Sequence, residues 1–325
     1  MELVERMLHG DQRELSRLIS MVERESPEVP EIMKAIYPHL GKAYSIGVTG
    51  PPGAGKSTLA DRLVALIRGR DLSVGVIAVD PTSPFSGGAV LGDRIRMQQH
   101  YLDSEVFIRS MASRGSRGGL PSTTRDVMKL LDAFGKDIIL VETVGVGQTE
   151  LDIMEAVDST IVTLVPEAGD TVQTMKAGLL EVADIFAVNK SDRPGADKLI
   201  VELRSMLSMS GAEEEWTPPI VATEAVNNRG IEELYQAVID HQDFLRTSGQ
   251  FLIRRQQQNR EEFIRAIEHR LRKRLSNLMK NSDQLMQLWG EVEAGKTDPY
   301  TAVDIMESEA VSRGWLPDPS PSTNI

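Results

Sequence analysis

"YSIGVTGPPGAGKSTLADRLVALI", residues 44–67, joins a short apolar run to an amphipathic one through glycine, proline and lysine. Gly50, Gly55, Lys56 and Ser57 satisfy G-x-x-x-x-G-K-[ST], right after a β-rich run and right before a helical pattern. That context is what gives the pattern its meaning. Glycines let successive backbone N–H groups close around phosphate oxygens, and the helix N-terminus adds a positive dipole end. Gly50, Pro51, Pro52, Gly53, Ala54, Gly55, Lys56, Ser57 and Thr58 therefore form a candidate phosphate loop. Lys56 is expected to bridge β- and γ-phosphates, and Ser57 to place its hydroxyl on Mg²⁺. Each proline removes one N–H donor without obstructing the loop.

Outward from this loop the same alternation repeats. "SIGVTG", "SVGVIAVD", "VFIRS", "DIILVET", "STIVTLV", "DIFAVNK" and "PIVATEA" are short apolar runs. Helical patterns lie between most of them, at 57–69, 123–134, 171–182, 195–208 and 230–246. Continuous apolar strands alternating with amphipathic helices predict an α/β fold, a mostly parallel sheet covered by helices on both faces. Ligands on such sheets bind beyond the carboxyl ends of the strands, where the polar motifs of this chain fall.

"AVNKSD", 187–192, ends one such run and contains N-K-x-D. Asp192 can accept two hydrogen bonds from guanine, at N1–H and the exocyclic amine; adenine lacks that donor pair and leaves the carboxylate unsatisfied. Asn189 would brace the loop, and the stem of Lys190 would lie over the base. GTP and GDP are thus the expected nucleotides. Two more carboxylates end strands: Asp80 in "VIAVDPTS" and Glu142 in "IILVETVGVG", with Gly145 three residues on. Glu142 stands where GTPases usually have the Asp of D-x-x-G, and either acid can hold a water on Mg²⁺. Gly145 could donate its N–H to the γ-phosphate. "SGGAVLGDRIRM", 86–97, reads as a switch segment containing Asp93, Arg94 and Arg96. Many small GTPases place Gln directly after that glycine to orient the attacking water; here it is Val146, so unaided hydrolysis is expected to be slow.

The 325 residues carry a net charge of −12 and 41% hydrophobic side chains, enough for one large domain with appendages. The acidic balance disfavours a free-standing nucleic-acid binder. The absence of cysteine excludes disulfides and thiolate metal sites. No window reaches the roughly 18 apolar residues of a membrane span. The N-terminus shows neither a secretory nor a transit pattern. A cytoplasmic protein is expected.

Residues 1–42 are expected to form a helical extension packed on the main domain. Leu15, Leu18, Ile19 and Val22 share one helical face, and Asp11 with Glu14 suggests a capping box. Residues 43–246 form the expected nucleotide domain, and 247–325 a helical arm with a tail of disordered composition. Phe263, Ile267, Leu271, Leu275 and Leu278 make a stripe within a basic span, 254–280. A helix solvated on its own domain, an arm in a homodimer, and a nucleic-acid or membrane contact are the alternatives for that span.

"GPPGAGKST", "AVDPTSPFSGGAVLGDRIRM", "ILVETVGVGQ", "PEAGDTVQTMKAG", "NKSD" and "WTPP" together resemble the MeaB/ArgK/MMAA family. Its members are G-protein chaperones of adenosylcobalamin-dependent acyl-CoA mutases, and the likeness runs from about residue 1 to about 280. The resemblance implies a P-loop GTPase that gates adenosylcobalamin loading and protects and reactivates a mutase such as methylmalonyl-CoA mutase. It also implies a homodimer joined through C-terminal helices; from the acidic charge and the lack of an apolar span, no nucleic-acid or membrane partner is expected. By position, its Mg²⁺ and switch acids fall on Asp80, Asp93 and Glu142, and its base reader on Asp192. Its partner-coupling switch falls on Gly169, Asp170, Gln173 and Lys176; from local chemistry alone, Asp170 is a helix cap. The family's late guanine loop carries Ser-Ala-Arg or a similar triplet, and this chain has Glu224, Ala225 and Val226. The Ala225 N–H can still reach guanine O6, because that contact needs no side chain. A nickel-insertion GTPase would need Cys or His ligands, and the chain has no Cys and five scattered His. An ATP-dependent kinase or transport ATPase would use the same phosphate loop, but Asp192 argues against it. An adaptor that binds GTP without hydrolysing it is the last alternative, kept open by Val146.

Overall fold

All seven apolar runs are strands in the computed structural model of the chain, which describes residues 2–80, 97–112, 120, 122–143, 153–168, 183–209, 215–280 and 282–312. They are β1 Tyr44–Thr49, β2 Val74–Asp80, β3 Val106–Ala112, β4 Ile138–Glu142, β5 Ser159–Leu164, β6 Ile185–Asn189 and β7 Ile220–Thr223. They form one sheet in the order β3-β2-β4-β1-β5-β6-β7, and each adjacent pair is parallel. Parallel neighbours cannot be joined by a tight hairpin; among the described residues the helices listed next as α4, α5 and α6 lie in the β1–β2, β3–β4 and β6–β7 connections.

The helices are α1 Glu2–Leu8, α2 Gln12–Glu23, α3 Val29–Ile36, α4 Lys56–Arg68, α5 Ser122–Ala133, α6 Ala196–Met209, α7 Ile231–Thr247, α8 Gln250–Lys280, α9 Asp283–Glu293 and α10 Pro299–Ser312. Helices α4 to α7 lie within a residue of the spans expected from periodicity. The helix expected at 171–182 lies outside the described residues.

Burial on both faces follows from the two-residue side-chain period of a strand. In β4, Ile138 and Leu140 pack with Leu59, Leu63 and Ile67 of α4 and with Leu234 and Val238 of α7. Ile139 and Val141 point the other way, into a core shared with α5 and the N-terminal helices. A third cluster joins Val162, Phe186 and Val188 to Leu199 and Leu203 of α6. Gly47 of β1 makes room for the second core, because a Cβ there would lie 2.7 Å from Ile153.

The chain divides into two compact units, Met1–Arg255 and Gln256–Ile325. Within the first, α1 to α3 are a layer of the core: Val4, Met7, Leu15, Leu18, Ile19 and Ile36 are buried with Ile77, Val79 and Phe107 of the sheet. Asp11 caps α2 by accepting from Arg13 N and Glu14 N at 2.9 and 3.3 Å. The return bond of a capping box is not made. The Asp11 N–H goes to the Arg6 carbonyl, and the buried Glu14 carboxylate faces Arg6 and Arg17 instead. Asp132 ties the chain entering β1 to α5, accepting from the Gly41, Lys42 and Ala43 amides.

Beneath the sheet, at the amino ends of its strands, two arginines of the basic span are engaged. Arg255 donates to both oxygens of Asp158 at 2.7 and 2.6 Å, and Asp158 also accepts from Ser45 N and Oγ. Arg254 donates to both oxygens of Asp184 at 2.7 and 3.2 Å, and the fully buried His241 places Nε2 3.3 Å from the same carboxylate. Burial pushes the Asp184 carboxyl up, but the neighbouring His241 ring and the Arg254 hydrogen bonds outweigh this and hold it below its ordinary value.

In the second unit α9 and α10 pack together, Leu285 and Ala302 are buried, and the Ser282 side chain caps α9. Phe263, Ile264, Ile267, Leu271 and Leu275 of α8 are exposed. Among the described residues, no helix is long and apolar enough to cross a membrane.

Candidate functional site

The phosphate loop leaves the carboxyl end of β1, between β4 and β5. Two glycines are required there. Gly50 has φ 136°, and a Cβ on it would lie 2.0 Å from the Thr163 carbonyl of β5. Gly55 has φ 88°, and its Cβ would lie 2.4 Å from Asn189 Nδ2. Any side chain would therefore separate the loop from the strand beside it or from β6. Helix α4 starts at Lys56 with no side-chain cap, which leaves the N-terminal amides to the loop's concavity. The buried Lys56 curls back over the loop and donates to the Gly50 and Pro51 carbonyls at 2.9 and 3.1 Å. Its ammonium thus stands at the mouth of the loop.

Ser57, one residue into the same helix, donates to Glu142 Oε1 at 2.6 Å. Both side chains are buried. The strand order makes this possible: β4 lies directly against β1, with Val48 level with Glu142. A hydroxyl and a carboxylate converging at a phosphate loop are hard oxygen donors, and they suit Mg²⁺. Asp80 ends β2 on the other side of β4, two residues beyond the level of Glu142; its side chain lies outside the described residues. So do Asp93, Gly145, Asp170, Gln173 and Lys176.

Asn189, at the end of β6, connects three segments. Its Nδ2 donates to the Ala54 carbonyl of the phosphate loop at 2.8 Å. Its Oδ1 accepts from the Ala225 amide at 3.1 Å and from Thr223 Oγ1 at 3.2 Å. Lys190, held at φ 57°, donates to the Gly53 carbonyl at 2.8 Å. Asp192 follows in an exposed turn closed by Arg193 N on the Lys190 carbonyl. Arg193 pairs with Glu167, in the turn after β5; that bond draws the Glu167 carboxyl down and the guanidinium up.

The late loop is braced in its own way. Glu224 exchanges both backbone bonds with Arg229, and its carboxylate accepts from Asn227 Nδ2 at 3.1 Å with Arg229 at 3.4 Å. The Glu224 carboxylate thus braces the loop from within. Gly230 closes the loop at φ 72°, where a Cβ would meet the Ala222 carbonyl at 2.1 Å. Val226 is 75% exposed, and its carbonyl lies 3.5 Å from Arg62.

Residues 15–280 match the family described as methylmalonyl Co-A mutase-associated GTPase MeaB. The chain belongs to the MeaB family of GTPases. A Pyrococcus abyssi protein is 47% identical over 316 residues, covering 96% of this chain and 97% of that one. GTPase ArgK of Escherichia coli is 36% identical over 290 residues, 87% of each chain. A crystal structure of an LAO/AO transport system kinase superposes with a TM-score of 0.69 at 30% identity, covering 96% of this chain and 97% of that one. In this MeaB-family GTPase the structure brings together Lys56, Ser57, Glu142, Asn189, Lys190 and Ala225 around one loop. Sequence reasoning missed Arg62, Thr223, Arg193 and Glu167. Each belongs to an ordinary helix, strand or turn pattern, and no local signal marks it.

Proposed function

We propose that this chain binds GTP and GDP with Mg²⁺, hydrolyses GTP, and serves as a chaperone of an adenosylcobalamin-dependent acyl-CoA mutase such as methylmalonyl-CoA mutase. In this role it gates loading of adenosylcobalamin and protects and reactivates the mutase. The observation that carries the nucleotide half is Asn189, which joins the phosphate loop to the N-K-x-D turn and the late loop through three hydrogen bonds. The family description supports the mutase half.

In this reading Lys56 and the amides of the loop hold the β- and γ-phosphates. Ser57 and Glu142 hold Mg²⁺, with Asp80 and Asp93 as the remaining acids. Bound there, Mg²⁺ would neutralise charge on the β- and γ-phosphate oxygens. Asp192 accepts from the guanine N1–H and amine, and the Ala225 amide is shared between Asn189 and guanine O6. Gly145 senses the γ-phosphate. Val146 cannot orient a water, so the partner must bring a polar group into place, and Asp170, Gln173 and Lys176 receive that signal. Two chains pair through the exposed stripe Phe263, Ile267, Leu271 and Leu275. The cytoplasm is the compartment we assign.

Turnover of GTP by the purified chain, alone and with an acyl-CoA mutase, tests this. A correctly supplied activating group is worth about 10³–10⁵-fold in rate. Slow basal turnover with clear stimulation is expected, and Lys176→Ala should keep the basal rate and reduce the stimulation. Fast basal turnover with no response to any acyl-CoA mutase would indicate an autonomous NTPase. ATP competing as well as GTP would remove the guanine assignment.

A further inference from the structure

Arg62 lies in the second turn of α4, the helix that begins with Lys56 and Ser57. Its amphipathic surroundings make it look like a solvated surface residue, but the residue is half-buried and its guanidinium is turned onto another segment. Arg62 Nε donates to the Ala225 carbonyl at 3.1 Å, and its NH2 group lies 3.5 Å from the Val226 carbonyl. Among the described residues it pairs with no carboxylate. The Ala225 carbonyl also accepts from Asn228 N at 3.3 Å, and the Ala225 amide is held by Asn189 Oδ1. Ala225 is therefore held on both sides, by β6 through its N–H and by α4 through its C=O.

These bonds close a circuit. The phosphate loop is joined to Asn189 by the Ala54 carbonyl, Asn189 to Ala225, Ala225 to Arg62, and Arg62 through one and a half turns of helix back to Lys56. The carboxylate of Glu224 shapes the late loop internally but makes no bond to α4 among the described residues. Only Arg62 ties that loop to the phosphate-loop helix by side-chain hydrogen bonds there. A guanidinium gives two donors in a fixed plane, so it sets both distance and orientation.

We infer that Arg62 is a positioning residue for base recognition: through the Ala225 backbone it fixes where the late loop stands relative to the phosphate loop, and so sets guanine affinity. This rests on the guanine site proposed above. A merely structural arginine would weaken every nucleotide alike. An arginine acting through Ala225 weakens only nucleotides that use its amide.

The test compares GDP with 2-aminopurine riboside 5′-diphosphate on the full chain by calorimetry; this nucleotide lacks O6 and with it the N1–H, so it binds more weakly in every variant and only its change on substitution at Arg62 is read. In Arg62→Ala the Kd for GDP should rise about tenfold, the scale of one lost hydrogen bond, and that for the O6-free nucleotide less than about twofold. Arg62→Lys, with one ammonium for two carbonyls, should fall between. The ratio of the two constants within each variant is the quantity read, so a loss of stability common to both nucleotides cancels. An unchanged ratio in Arg62→Ala overturns the proposal, whether both affinities fall or neither does. If the wild type binds GDP no better than ADP, the guanine site itself is wrong, and the role of Arg62 falls with it.

Discussion

Replacing Asn189 with alanine tests whether the site is one bonded assembly or three neighbouring loops. The side chain is 2% exposed and makes one bond as donor and two as acceptor. Alanine removes all three. It leaves the Ala54 carbonyl, the Ala225 amide and the fully buried Thr223 hydroxyl with one partner fewer each. A neutral hydrogen bond contributes about 1 kcal/mol net, and an orphaned buried group costs about 1–3 kcal/mol. At the net figure of about 1 kcal/mol each, three lost bonds give a loss of about 3 kcal/mol. For a unit of this size about 1 kcal/mol corresponds to roughly 2–4 °C, so the melting midpoint should fall by about 6–12 °C. GDP affinity should fall by more than about tenfold, because the phosphate loop and the late loop no longer share a support. Thr223→Val removes one of the three bonds and should shift the midpoint by about a third as much. Thermal unfolding with and without GDP, together with titration calorimetry, reads both effects. A midpoint within about 2 °C of wild type, with GDP affinity intact, would refute the bracing role of Asn189.

Asp192→Asn should exchange GDP preference for xanthosine diphosphate, since two bonds to a charged acceptor are lost at roughly 1.5–3 kcal/mol each; equal GDP affinity in both proteins would remove Asp192 as base reader. Leu271→Asp with Leu275→Asp places charges in an apolar seam and should convert a dimer to monomers in sedimentation. A wild type that is monomeric at about micromolar concentration would end the dimer assignment. The folded Asp184 carboxyl titrates below its ordinary value of 3.8. Its contribution to stability is therefore fully present above that value and is lost as pH falls from it through the folded value. Asp184→Asn should be less stable near neutrality and should show a flatter acid limb in denaturant titrations; an unchanged acid limb would mean that Asp184 does not carry this dependence.

Much of this protein is legible without coordinates because it is local. The apolar runs and the helical periods between them are set by side-chain alternation within a few residues, which is why seven strands and α4 to α7 can be bounded nearly to the residue. The phosphate loop is local too, since Gly50 and Gly55 serve a turn only a few residues long. Asp11 shows where local reading stops. Its cap on α2 depends on the next three residues and forms, whereas the return bond from Glu14 loses to Arg6 and Arg17. What the sequence could not state is strand order. Ser57 meets Glu142 only because β4 lies against β1, and Asn189 meets Ala54 only because β5 and β6 follow on the other side. Arg62, Arg254 and Arg255 look alike in sequence, as basic residues on helices. One is bonded to the carbonyls of a loop more than 160 residues away, and the other two to carboxylates buried at the opposite end of the sheet. Partners of that separation are chosen by the crossover connections of the whole sheet, and no short window of sequence contains that information.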